Sequence, residues 1–254
     1  MRFHLSAAAA AAFASMVVAT PASALTQDVD LTFVIDRSGS MGGEFSFLGG
    51  AIAGFLDELE ASPLVGTARG ALVSYTGSAR LEQDLTDDPT VLATAFGTVS
   101  TSGSTENAVR AERDAAFNLG IGYGSGRVKS LILITDEDAD DFFSSGGAGL
   151  RAELIAGGFL NNIIFEPGSG SSDTQYEQMA ISSLTDNDPA AALFSITDFR
   201  TDREGFLADF TAAKLREIEE EITENRIPLP GALPLAVLGV GALVGVARRR
   251  RNSA

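Results

Sequence analysis

Leu131-Ile132-Leu133-Ile134 is apolar at every position. A strand can be so only when both of its faces are buried, as in the middle of a sheet covered by helices on either side. Val128 to Thr135 therefore reads as a central strand, and Val29 to Ile35, with Leu31, Phe33, Val34 and Ile35, reads as another. The segments around them alternate in character. Phe45, Leu48, Ile52, Phe55 and Leu59 recur at steps of three and four, the spacing of one helix face. Arg69 to Tyr75 and Ala79 to Leu85 predict two strands joined at the turn-rich Thr76-Gly77-Ser78. Pro89 opens a helix that reaches about Phe96, and Thr105 to Leu119 predicts a longer one after the small-residue loop Gly97 to Ser104.

The second half continues in the same way. Leu150 to Ala156 predicts a short helix, Asn162 to Phe165 a strand, Tyr176 to Leu184 a helix and Ala192 to Ile196 a strand. The last helix is expected over Asp202 to Asn225. Leu207, Thr211, Leu215, Ile218 and Ile222 line one side of it, and Glu217, Glu219, Glu220 and Glu221 crowd the others as a solvated acidic face. The predicted fold class is α/β: a doubly wound, mainly parallel central sheet with one antiparallel edge strand and helices on both faces.

Both ends stand apart from this body. Met1 to Ala24 reads as a secretory signal, with Arg2 in a short n-region, an alanine-rich stretch from Ala7 to Ala19 and the small-residue cleavage pattern Ala22-Ser23-Ala24. At the other end, Pro228-Leu229-Pro230-Gly231 leads into an apolar span closed by Arg248 to Arg251. Leu229 to Ala247 is 19 residues, within the roughly 17–25 that cross a bilayer. An arginine block after such a span places the C-terminus in the cytoplasm. The expected organisation is a signal peptide over 1–24, one folded domain over 25–226 and a sorting segment with a membrane helix over 227–254.

Charge narrows the function further. All 34 acidic residues lie in the body, against 13 basic ones once Arg2 and Arg248 to Arg251 are set aside. Such a surface repels nucleic acid and anionic lipid. There is no cysteine, and the one histidine, His4, falls in the signal. The mature body therefore has no disulfide, no thiolate metal site and no Ser–His or Cys–His pair for nucleophilic catalysis.

What remains is oxygen chemistry. The strand ending at Ile35 runs into Asp36-Arg37-Ser38-Gly39-Ser40. Alternate residues on an extended backbone point the same way, so Asp36, Ser38 and Ser40 can turn toward one point. Asp136 follows the apolar strand that ends at Thr135, and Thr105 opens the predicted helix after the Gly97 to Ser104 loop. In a doubly wound sheet these strand ends share one edge. Hard oxygen ligands there suit magnesium, with calcium and manganese as alternatives. Thr101 competes with Thr105 for the hydroxyl role. Glu44 is a candidate neighbour to a second ion. The run Glu137, Asp138, Asp140 and Asp141 is either a solvated loop or a second cation site, with a spacing unlike an EF-hand.

The order Asp-x-Ser-x-Ser, distant Thr, distant Asp resembles the von Willebrand factor A domain and its metal-ion-dependent adhesion site. That resemblance spans Asp28 to about Glu221. It implies that Ser38 and Ser40 bind magnesium directly, that Asp36 and Asp136 act mainly through waters or hydrogen bonds, and that Thr105 joins in the ligand-bound state. It also implies an open coordination position for a partner's carboxylate. The sequence departs from the family where Glu137 follows Asp136, a place often held by glycine.

The tail is similar to C-terminal sorting signals of the PEP-CTERM type, in the variant with Val-Pro-Leu-Pro-Ala, here with Ile227 for the valine and Gly231 for the alanine. That similarity implies a Gram-negative source, an exosortase-type membrane enzyme acting on the tail, and passage to the cell surface or extracellular matrix. The expected function is thus an exported, non-enzymatic binding domain for a protein or matrix ligand. Two other readings are open at this point: a metal-dependent hydrolase using the same acids, and a secreted scaffold whose cation only ties loops together.

Overall fold

The chain's computed structural model describes residues 26–224, apart from 169–170 and 185–187. The expected signal peptide and the expected membrane helix lie outside the described residues. Among the described residues no helix is long and apolar enough to cross a membrane.

The two apolar runs form the middle of one six-stranded sheet. Strand β1 covers Gln27–Asp36, β2 Val65–Tyr75, β3 Ala79–Thr86, β4 Val128–Ile134, β5 Phe159–Phe165 and β6 Leu193–Ser195. Their order is β3-β2-β1-β4-β5-β6, parallel throughout except for β3 on the edge. Every residue of β1 from Val29 onward is buried, and so is every residue of β5. In β1, Phe33 pairs with Leu72 on one side and Ile132 on the other.

The helices are α1 (Phe45–Glu60), α2 (Pro89–Thr98), α3 (Ala108–Arg113), α4 (Gly147–Ala156), α5 (Ser171–Met179), α6 (Ile196–Thr201) and α7 (Arg203–Glu224). Helices α1, α2 and α7 cover one face, where Phe33 meets Phe55 and Phe96 edge-on and Phe55 meets Phe210. Helices α3, α4 and α5 cover the other, with Arg113 of α3 paired to Glu153 of α4. Each fully buried side chain of this size contributes roughly 1.5–3 kcal/mol.

Three expectations need correction. The helix predicted from Thr105 starts at Ala108, with Asn107 as its N-cap, and passes into a π-helical turn over Asp114–Asn118. The reason is tertiary: Asp141, from a loop far along the chain, accepts hydrogen bonds from Val109 N and Arg110 N and so fixes where the helix starts. The helix predicted over Tyr176 to Leu184 lies earlier, at Ser171–Met179, because Ile181 leaves it to bridge Asn161 of β5, whereas the last helix forms as expected over Arg203–Glu224, preceded by the short α6 that Ser195 caps by accepting from Asp198 N. Glu217 on α7 is not solvated. It is 1% exposed and packed beside Lys214.

Candidate metal centre

Asp36 closes β1 at the carboxyl edge of the sheet and is fully buried. The chain then turns back on itself. Asp36 Oδ1 accepts from Ser38 N at 2.7 Å, and a tight turn over Gly39–Gly43 follows. Met41, 0% exposed, drives that turn into the core and so holds Ser38 and Ser40 over the strand end. Asp136 arrives from the end of β4, two strand positions past Ile134.

These pieces form one hydrogen-bonded chain. Ser38 Oγ lies 3.1 Å from Asp36 Oδ2, Ser38 Oγ and Ser40 Oγ are 2.9 Å apart, and Ser40 Oγ lies 2.9 Å from Asp136 Oδ1. Thr135 Oγ1 adds a further bond to Asp36 Oδ2 at 3.2 Å. The three oxygen contacts from Asp36 to Asp136 have only two hydroxyl protons to share while both carboxylates are ionised. Either a proton on a carboxylate or a cation must balance that surplus of lone pairs. Burial pushes the Asp36 carboxyl up to about 6, and the Asp136 charge adds to this against the hydrogen bonds from Ser38. The donor set, two hydroxyls and two carboxylates at one point, fits a small hard divalent ion. Among the described residues no cluster of three acidic, histidine or cysteine side chains is arranged to hold a metal, so a site here depends on the hydroxyls.

Thr105 is not part of that chain. It lies exposed in the loop between α2 and α3. The loop itself is docked on the site: Ser102 N donates to Arg37 O at 2.8 Å and Asn107 N to Thr76 O at 3.1 Å. Gly103, at φ +90, makes the turn that brings the loop against Thr76. Thr101 is exposed as well and faces Gly42.

Three residues at the site carry no signal in the sequence. Arg200 of α6 donates from Nη2 to Asp136 Oδ2 at 2.8 Å, from Nε to Glu44 Oε1 at 2.8 Å and from Nη1 to Glu166 Oε2 at 3.2 Å. Glu44 is therefore the partner of an arginine, with its second oxygen buried and unpaired. Glu106 is 2% exposed, and burial, then Asp36, Glu137 and Asp140, push its carboxyl up to about 7. Thr135 is the third. Only a buried strand, a long-range cap and a separate helix bring these groups together, so spacing along the chain does not reveal them.

The acidic run is put to structural use. Asp140 Oδ2 accepts from Glu106 N at 3.0 Å, and Asp141, 4% exposed, caps α3. These bonds commit one oxygen of Asp140 and both of Asp141 to backbone amides.

The family model for the von Willebrand factor type A domain matches residues 30–206. Among solved structures, proximal thread matrix protein 1 from the mussel byssus superposes with a TM-score of 0.55 at 15% identity, over 74% of this chain and 46% of that one. The same mussel protein with a zinc occupied MIDAS motif gives 0.55 at 16% identity, over 74% and 47%. The conserved hypothetical protein BatB from Bacteroides thetaiotaomicron gives 0.50 at 13% identity, over 72% and 98%. At these identities the likeness is one of fold, and the chain spans about half the length of the mussel protein. No curated protein matches the sequence closely enough to count as a relative.

Proposed function

The chain belongs to the von Willebrand factor type A domain family, and from that premise we propose that it is an exported domain that binds a protein or matrix ligand through a divalent cation. The observation that carries this reading is the continuous contact from Asp36 through Ser38 and Ser40 to Asp136. Ser38, Ser40 and Asp136 would hold the ion, with Asp36 anchoring Ser38 from below and Thr105 or Thr101 on the rim. Bound there, the ion would supply an electrophilic position for a ligand's carboxylate. Magnesium is the first candidate, with calcium and manganese as alternatives. The mussel neighbour solved with zinc in its MIDAS motif supports a divalent ion without fixing which.

The chain's own residues set the terms of binding. Asp36 must give up its proton for the ion to be held, and Arg200 already neutralises one oxygen of Asp136. The exposed Glu137 beside Asp136 disfavours a highly acidic partner and selects one that presents a single carboxylate.

Export rests on the two ends of the sequence. The signal-like 1–24 and the PEP-CTERM-like 227–254, with its apolar span and arginine block, would take the domain through the inner membrane of a Gram-negative cell. An exosortase-type enzyme would act on the tail, with surface or matrix as the destination. Glu221, near the end of α7, lies beside Val128 and Lys129 at the start of β4. Helix α7 thus ends toward the edge of the sheet opposite Asp36, and an anchor following it would leave the metal edge facing outward.

The test is capture of partners from a surface extract by the purified full-length protein, with and without a chelator. Chelator-sensitive capture that an Asp36→Ala variant lacks supports the reading. Capture that is unchanged by chelator, with a lowered melting temperature, would instead make the cation a structural tie.

A further inference from the structure

Apart from the metal site, α7 buries a lysine against the middle of β5. Lys214 and Glu217 have side-chain exposures of 0% and 1%, and Asn162 in the middle of β5 is 2% exposed. Lys214 Nζ contacts both Asn162 Oδ1 and Glu217 Oε2. The other carboxylate oxygen, Glu217 Oε1, is buried without a partner. Asn162 and Lys214 are 52 positions apart in sequence, and each sits on a rigid element.

A buried ion pair accounts for this only in part. Taking an ammonium out of water costs several kcal/mol even when it is paired. Here the lysine is also set against a carboxamide carbonyl, with a half-satisfied carboxyl group beside both. An amine, an amide carbon and a proton carrier held together away from water are the components of amide exchange.

We propose that Lys214 Nζ attacks Asn162 Cγ after folding and forms an intramolecular isopeptide cross-link, with Glu217 as the proton carrier. The Nζ–Cγ bond forms and the Cγ–Nδ2 bond breaks. Glu217 takes a proton from the attacking nitrogen and delivers one to Nδ2, which leaves as ammonia. One amine and one primary amide become one secondary amide and ammonia, so no oxidant, reductant or cofactor is needed. Burial lowers the pKa of Lys214, against the pull of the Glu217 charge, and so favours the neutral, nucleophilic amine. Fixed placement on β5 and α7 replaces a bimolecular encounter with a local one, which can raise effective concentration by many orders of magnitude. Ser183 Oγ donates to Glu217 O at 2.7 Å and holds that turn of α7 in place. The same exclusion of water protects the product from hydrolysis. In a chain without cysteine, such a bond ties α7 to the sheet as a disulfide otherwise would.

The experiment is tryptic digestion of the denatured, purified full chain followed by mass spectrometry. The expected product is a branched fragment joining the Asn162 peptide to the Lys214 peptide, lighter than their sum by one ammonia, with no cleavage after Lys214. Separate peptides of full mass, with normal cleavage after Lys214, overturn the proposal and leave a buried ion pair. Because this readout uses the unaltered protein, it does not depend on any variant folding. A Glu217→Gln variant with an unchanged circular dichroism spectrum should lack the branched fragment. Full cross-linking in that variant would overturn the role given to Glu217.

Discussion

Replacing Arg200 with glutamine should tighten divalent-cation binding while weakening the metal-free protein. The guanidinium is bound to the outer oxygen of Asp136 at 2.8 Å and to Glu44 at 2.8 Å. An ion held by the serine hydroxyls and the inner Asp136 oxygen would lie about 6 Å from that charge, where a divalent and a monovalent cation repel by about 1.4 kcal/mol at the dielectric of water and about 3 kcal/mol at half that value. Arg200 is 32% exposed, so the lower figure is favoured by screening. Arg200→Gln should therefore lower the magnesium dissociation constant by up to about tenfold. Without metal, the variant leaves Glu44, Asp136 and Glu166 without their shared cation, and its melting temperature should fall. Isothermal titration calorimetry with magnesium, beside thermal melts with and without the ion, separates the two effects. A dissociation constant that stays the same or rises would refute the argument, because it would mean that Arg200 supports the bound ion rather than opposing it.

Three further outcomes follow from other parts of the molecule. The Asp36 carboxyl is raised from 3.8 to about 6, so metal must displace a proton in acid solution. Magnesium affinity should be flat above that value and fall by up to about tenfold per pH unit below it, and titrations from pH 5 to 8 that show no change would contradict this. Glu112 on α3 is fully buried, and burial pushes its carboxyl up from 4.5 to about 8. The folded state thus binds the proton more tightly than the unfolded one. Its share of stability is complete below about pH 4.5 and is lost as pH rises through about 8. Glu112→Gln should flatten that decline in urea titrations at pH 5 and 9, and an unchanged slope would exclude Glu112 as its source. Phe33→Ala removes a 2% exposed ring that meets Phe55 and Phe96, and should cost about 3–5 kcal/mol in urea unfolding with an unchanged m-value. A cost below about 1 kcal/mol would mean that the core closes over the gap.

The sheet was the most legible part of the sequence. Leu131 to Ile134 and Val29 to Ile35 are apolar because helices cover both faces, and the antiparallel hairpin at Thr76-Gly77-Ser78 declared itself through its turn residues. The placement of Asp36, Ser38, Ser40 and Asp136 on one edge followed from strand ends alone. What spacing could not reveal depends on contacts between distant segments. Asp141 decides where α3 begins, which leaves Thr105 in a loop. Asp140 and Asp141 look like a solvated run until their oxygens are seen capping backbone amides. Lys214 and Glu217 sit in a highly charged helix, and only the docking of α7 on Asn162 shows that they face inward. Arg200 lies on a short helix with no pattern of its own, and it reaches the site only because α6 packs across the end of the sheet.

The central claim is that Ser38 and Ser40, clasped between Asp36 and Asp136, hold one divalent ion. Calorimetric titration of magnesium or manganese into the protein and into a Ser38→Ala, Ser40→Ala double variant tests it most directly, with circular dichroism to confirm that both are folded. A single saturable site is expected in the first and none in the second. Equal binding by two equally folded proteins would place the ion elsewhere, or show that these hydroxyls hold none.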